Sequence, residues 1–269
     1  MGRLRSVLAP LRCRFDQVDP SARLGARAVR RATLPPTTVV SVYRRRNADT
    51  LLDLLRPVAA REGVHVRLWA LDDEAPELTR WTTGAGPGGR FELLNRLLAE
   101  APAGYVALVD DDVSFTKGDL ATFMKLVDHL GFDLAQPGHS VNSSRGHNFT
   151  TIEPLSIARR TTFIEIGPIV AIAPSIRPAI QPFPGRTPMG WGVDVEWSDL
   201  ARNGDRRFGI IDATPIRHAD RPGGGYSDDS QDHERRAVQD ALNVRGLSAV
   251  TDVQAAIDMV RPWRVRPTR

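Results

Sequence analysis

Three consecutive carboxylates, Asp110, Asp111 and Asp112, follow the mostly apolar run Tyr105-Val106-Ala107-Leu108-Val109. The run reads as a short buried strand and the acids as its end. Alternate residues of an extended segment face the same way, so Asp110 and Asp112 can converge on one cation while Asp111 points elsewhere. Oxygen ligands of this kind suit Mg2+ or Mn2+. Adjacent carboxylates repel, and a cation or solvent must screen them. The plainer alternative is an acidic turn that only ends a strand.

Other reactive side chains stand at the ends of other expected strands. Thr37 to Tyr43 runs into Arg44-Arg45-Arg46, and His65 to Leu71 runs into Asp72-Asp73-Glu74. Tyr43, Arg44 and Asp72 therefore stand at the carboxyl edge of a sheet, where open α/β folds bind ligands. Arg90 follows the glycine-rich stretch from Thr83 to Gly89, a loop before a helix whose backbone amides can approach phosphate. That stretch matches neither the Lys-Ser/Thr phosphate loop nor the dinucleotide fingerprint. Trp191-Gly192-Val193-Asp194-Val195-Glu196 supplies two further acids and an aromatic face. His218 lies just behind the expected strand from Phe208 to Ile211, and Glu165 interrupts the most apolar stretch of the chain. A carboxylate there must be paired or face a cleft. His139, Arg145 and His147 occupy a long polar segment, 137–156, and irregular segments of that length inside a compact domain are usually functional or disordered.

The elements that must hold these groups read as alternating strands and helices. Asn47 begins a helix carrying Leu51, Leu52, Leu54, Leu55, Val58 and Ala59, which Gly63 ends. Phe91 to Leu98 is a second helix, and Asp119 caps a third that stops at Gly131. Phe132 to Gln136 is a short strand, and Thr162 to Ala173 a central strand broken by Gly167-Pro168. Two helices are expected at the end, over 228–243 and 251–260, after a glycine-rich loop at 221–226. Strand, helix, strand at the start implies a parallel α/β sheet with a right-handed crossover. The divisions expected are a basic extension at 1–36, a core domain at 37–245, and a helix with a basic tail at 246–269.

With 269 residues the chain can bury a large core. No apolar run is long enough to span a bilayer. The start lacks a secretory pattern, and the single cysteine, Cys13, excludes a disulfide framework, so a cytoplasmic location is expected. Net charge is +4, with arginines dense near both ends. Such ends are solvated tails or a peripheral contact with anionic membrane.

The order of these parts resembles the GT-A glycosyltransferases, and within them a poorly characterised glycosyltransferase-like family. Its members read Asp-x-Asp, Gln-Pro, Val-Glu-x-x-x-Pro-Val, Trp-Gly-Leu-Asp, then a strand and a His. The matching residues are Asp110 and Asp112, Gln136-Pro137, Ile164-Glu165 with Pro168-Ile169, Trp191-Gly192-Val193-Asp194, and Phe208 to Asp212 with His218. The match spans roughly 37–226. The resemblance implies a Rossmann-like, mixed but mainly parallel sheet flanked by helices. It also implies transfer of a sugar from a nucleotide-diphosphate sugar to an acceptor hydroxyl, with Mn2+ or Mg2+. The implied metal set is Asp110, Asp112 and His218. The implied donor-binding set is Tyr43, Arg44, Asp72, Arg90, Asp110 and Asp111. Asp194 is the implied base with Glu196 in reserve, and a single displacement would invert the anomeric centre. The acceptor is a glycan, lipid or small metabolite.

Two other readings use the same residues differently. A nucleotidyltransferase acting on a sugar phosphate would carry a glycine-rich signature and a lysine after its first strand, where this chain has three arginines. A nucleic-acid-binding module would interleave aromatics with its basic residues, whereas these arginines gather at the ends and no zinc or helix-turn-helix pattern occurs. No nucleic-acid partner is therefore expected.

Overall fold

Apolar runs rich in β-branched residues form the middle of one sheet. The computed structural model describes residues 19–219 and 227–265. The basic start of the chain through residue 18, Cys13, the 221–226 loop, Arg266 and Arg269 lie outside them. In chain order the first elements are α1 (Ser21–Ala28), β1 (Thr37–Tyr43), α2 (Ala48–Leu55), β2 (Val64–Ala70), β3 (Thr82–Ala85), α3 (Arg90–Leu98) and β4 (Tyr105–Val109). Then come β5 (Val113–Phe115), α4 (Leu120–Leu130), β6 (Leu134–His139), β7 (Ala158–Thr161), β8 (Ile169–Ile172) and α5 (Arg177–Ile180). The last are α6 (Val193–Arg202), β9 (Phe208–His218), α7 (Asp228–Val244) and β10 (Ala256–Val260).

The sheet runs β10-β7-β9-β6-β8-β4-β1-β2-β3, with β5 paired to the end of β9. From the pairings, β1, β2, β3, β4, β6, β9 and β10 share one direction and β5, β7 and β8 oppose it. The sheet is thus mixed and mainly parallel, as the resemblance implies. Alternation sends successive residues into opposite cores. Val39 and Ala107 join the layer with Leu51 of α2 and Phe123 of α4. Val40 and Leu108 join the layer with Phe91 of α3 and Trp197 of α6. Burial on both faces explains why these strands read as continuous apolar runs. The Asp119 side chain accepts from Thr122 N at 2.7 Å, and Gly131 closes α4 at φ 64, both as expected.

Three expectations need correction. The helix expected over 251–260 is a 3-10 turn at Val250–Val253 followed by β10, antiparallel to β7. Pairing at the sheet edge overrides the local helical spacing, and it joins 256–260 to the core sheet. At the other end, α1 packs on the same sheet: a Cβ on its Gly25 would meet Ala213 of β9 at 2.8 Å. The strand expected over 162–173 is confined to Ile169–Ile172; β7 precedes it, and Glu165 lies in the irregular link between them. β9 runs eleven residues to His218, well beyond Ile211, because its pairing passes from β6 and β7 to β5. No helix among the described residues is long and apolar enough to cross a membrane.

Candidate active site

The carboxyl ends of β1, β4 and β9 open on one cleft of about 510 Å³. β5 turns back from the Asp110–Asp112 acids and pairs antiparallel with β9, in a register that sets Val113 opposite His218. This register carries Asp112 to the histidine: Ala219 N donates to Asp112 O at 3.1 Å, and His218 Nε2 lies 3.1 Å from Asp112 Oδ1. Burial acts to lower the His218 pKa, but the bond to Asp112 and the negative charge of Asp112, Asp110 and Glu165 raise it overall.

The other two acids have separate partners. Arg90, the first residue of α3, donates from Nε and Nη2 to Asp110 Oδ1 at 3.1 and 2.8 Å. It also donates from Nη1 to Ile166 O. Asp111 Oδ2 accepts from Arg44 N at 2.6 Å, which ties the end of β1 to the acidic turn. Burial pushes the Asp111 carboxyl up to about 6, partly offset by that bond and by Asn47.

Asp194 enters from the opposite wall, in the first turn of α6. It lines the cleft with Trp191 and Gly192. Burial raises its pKa to about 6, partly countered by His147, while the charge of Glu165 adds to the rise. The turn before it is held from α7. Glu234 is fully buried and accepts from Thr187 Oγ1 at 2.7 Å, Met189 N at 2.6 Å and Trp191 N at 2.8 Å. Gly190 (φ 84) and Gly192 (φ 92) complete the turn, and a side chain on Gly192 would collide with the Ala237 carbonyl.

A buried polar chain connects the walls. His218 N donates to Ser143 Oγ at 2.9 Å, and Ser143 Oγ lies 2.8 Å from His139 Nδ1. Beyond it, His139 Nε2 lies 3.3 Å from Glu165 Oε2. Glu165 Oε1 accepts from His147 N at 3.0 Å and Thr150 Oγ1 at 2.8 Å. Burial favours protonation of Glu165, yet contact with His139, the charge of His147 and the Thr150 bond outweigh it and hold the pKa low.

Arg44, Arg90, the three Asp110–Asp112 carboxylates, Asp194 and His218 therefore meet in one cleft. Three expected residues lie elsewhere. Tyr43 is buried and its hydroxyl bonds Thr82 Oγ1 and Ala75 N. Asp72 accepts from Arg45 N and does not line the cleft. Glu196 is paired with Arg186 in a neighbouring cavity, two positions after Asp194 and so on the far side of α6. His139 and His147 do not form an exposed acceptor loop: His139 is fully buried and only His147 reaches the cleft. The sequence reading missed Glu234 altogether, since nothing local marks one acid among the many polar residues of α7.

No protein-family description matches this chain, and no curated protein does. Solved structures do match. GalNAc-T7 with UDP, GalNAc and Mn2+ aligns over 77% of the chain with a TM-score of 0.53 and 12% identity. The 1–349 part of TarS from S. aureus with UDP-GlcNAc aligns over 77% with a TM-score of 0.50 and 13% identity. A mycobacterial protein aligns over 90% with a TM-score of 0.50 and 13% identity. The fold is that of the GT-A glycosyltransferases. The chain spans about half of the GalNAc-T7 chain, 48%, and 67% of the TarS one. At these identities the likeness is one of fold.

A GT-A fold raises the question of a divalent ion, and the donor set answers it. Two adjacent ligands at about 2.1 Å from one octahedral ion stand about 3 Å apart. Asp112 Oδ1 and His218 Nε2, side chains 12% and 13% exposed, have that spacing and open on the cleft. Among the described residues no cluster of three acids, histidines or cysteines forms a complete centre, and Arg90 holds Asp110. A pair of protein ligands suits Mg2+ or Mn2+, whose shells are commonly completed by water and substrate phosphate. The residues fit the ion.

Proposed function

We propose that this chain is a metal-dependent glycosyltransferase that moves a sugar from a nucleoside-diphosphate sugar to an acceptor hydroxyl with inversion. The observation that carries the reading is convergence. Asp112 with His218 on one wall and a carboxyl raised to about 6, Asp194, on the other face a single cleft in a GT-A fold. GalNAc-T7 and TarS, of like fold, hold UDP with GalNAc and Mn2+, and UDP-GlcNAc.

Asp112 and His218 would hold the ion, and Asp110, steered by Arg90, faces the donor beside them. Bound there, the ion would offset the charge of the departing diphosphate. Arg90 and Arg44 line the same part of the cleft and add positive charge where the leaving group develops its own. Asp194 takes the proton of the acceptor hydroxyl, and the freed oxygen bonds to the anomeric carbon. The bond from that carbon to the diphosphate oxygen breaks, and the nucleoside diphosphate leaves with the electron pair. Attack from the face opposite the leaving group inverts the centre. A base whose pKa lies near 6 is ionised at neutral pH yet still accepts a proton in the transition state. Trp191 offers an aromatic face for the acceptor.

Calorimetry with UDP-, GDP- and dTDP-sugars, with and without Mn2+, tests the reading. One donor is expected to bind in a Mn2+-dependent way, and Asp112→Asn to abolish that dependence. Pyrophosphate release from a nucleoside triphosphate, without binding of any sugar nucleotide, would favour the nucleotidyltransferase instead. Retention of configuration in the product would overturn the single displacement.

A further inference from the structure

Glu165 has an incomplete set of partners. A carboxylate offers about four acceptor positions. Oε1 fills two, with His147 N and Thr150 Oγ1. Oε2 meets His139 Nε2 at 3.3 Å, a contact short of a well-aligned hydrogen bond, for Nε2 has no such partner. The side chain is 10% exposed, and that remainder opens on the cleft. The carboxylate is thus ionised and rigidly held, with an oxygen still able to accept.

Its position says what it would accept. Two residues on, Gly167 passes so close to the donor wall that a Cβ there would lie 3.0 Å from Asp110 Oδ2 and 3.3 Å from Arg90 Nη2. Ile166, between them, is bonded to Arg90 through its carbonyl. On the other side, the charge of Glu165 acts on Asp194. Glu165 therefore lines the same cleft as the group that faces the diphosphate and the group that faces the acceptor. In a single displacement, the transferred sugar ring lies between those two groups. A fixed negative charge repels phosphate and carboxylate but forms a strong, charge-assisted bond with a neutral hydroxyl.

We propose that Glu165 Oε2 receives a hydroxyl of the transferred sugar, so that Glu165, backed by His139, selects the donor by one ring hydroxyl. This rests on the glycosyltransferase reading. Arg90 and Asp112 hold the diphosphate end, and Glu165 distinguishes one sugar from another at the same nucleotide.

The test compares nucleotide with sugar nucleotide by calorimetry in Mn2+. The probes are UDP, GDP and dTDP, their common neutral sugar conjugates, and monodeoxy versions of the conjugate that wild type binds best. For wild type, one monodeoxy donor is expected to bind about tenfold or more weakly than its parent. Glu165→Gln should bind the nucleoside diphosphate within about twofold of wild type, bind the parent donor about tenfold more weakly, and no longer distinguish the deoxy donor. Glu165→Asp, which keeps the charge but withdraws it, should lose part of the same selectivity. The wild-type panel stands even if a variant fails to fold. If every monodeoxy donor binds wild type within about twofold of the parent, the proposal is overturned while the glycosyltransferase reading survives. Equal losses of nucleotide and sugar nucleotide in Glu165→Gln also overturn it. If wild type binds no nucleoside diphosphate at all, the glycosyltransferase reading falls and this proposal with it.

Discussion

Asp194 is a carboxylate held against its preference. Its pKa of about 6, set chiefly by burial, means the folded chain binds a proton more readily than the unfolded one between about 4 and 6. The ionised form therefore costs stability at neutral pH, and the cost is relieved as pH falls through about 6. Asp194→Asn is expected to raise the melting temperature at pH 7.5 by an amount that shrinks toward pH 4, while donor binding persists and transfer drops by about 10²–10⁴. Wild-type transfer should decline below pH 6 along one acid limb, measurable in a pH–rate profile. Gain of activity on acidification would count against the assignment. At this scale the sequence spoke through spacing. Spacing set Asp110 and Asp112 on one side of a strand end, the resemblance added His218 to them, and the fold brings His218 Nε2 to 3.1 Å from Asp112 Oδ1. Tyr43 and Asp72 satisfied the same rule and still lie off the cleft, because their polar atoms are taken by Ala75, Thr82 and Arg45, partners that only packing brings near.

The turn before α6 shows how a whole element depends on a distant one. Residues 187–191 have little regular structure of their own, and the Glu234 carboxylate of α7 collects three of their donors. Glu234→Ala leaves those donors unpaired away from water and should cost roughly 2–5 kcal/mol by chemical denaturation. Glu234→Gln, which keeps one acceptor, should cost less. In either variant that remains folded, weaker acceptor saturation with donor affinity unchanged is the expected signature of a loosened Trp191 wall. Unchanged stability in Glu234→Ala would show that the turn holds itself. Periodicity and caps revealed α4 to the residue, since Asp119 and Gly131 act within their own helix. They failed for β10, whose conformation is decided by β7, about a hundred residues earlier in the chain.

Across the whole molecule, one strand serves both halves. Asp212, near the middle of β9, is gripped by Arg159 of β7 through bonds of 3.0 Å to each carboxylate oxygen, with both side chains buried. Arg159 also donates to the carbonyls of Phe149 and Thr151, securing the segment that carries His147 and Thr150. Arg159→Met strands a buried carboxylate and should destabilise the protein by about 3–5 kcal/mol at neutral pH. Burial already raises the Asp212 pKa above its usual value even against the Arg159 charge. The deficit should therefore narrow as acid protonates Asp212, a trend that denaturation at pH 7 and pH 5 would detect. A loss independent of pH would refute that explanation. The alternating strands and helices made the fold class legible, but the ladder that joins β5 to β9 could not be read from either segment alone.

That ladder has a consequence for the life of the chain. Asp112 and His218 lie 106 positions apart, and they meet only after β5 has folded back along the final stretch of β9. A nascent chain that has emerged only as far as β8 holds every aspartate of the triplet yet lacks His218, half of the pair proposed to hold the cation. With Mn2+ held by that pair as proposed, uptake of the ion would distinguish finished molecules from partial ones and mark the closing of this loop of 106 positions.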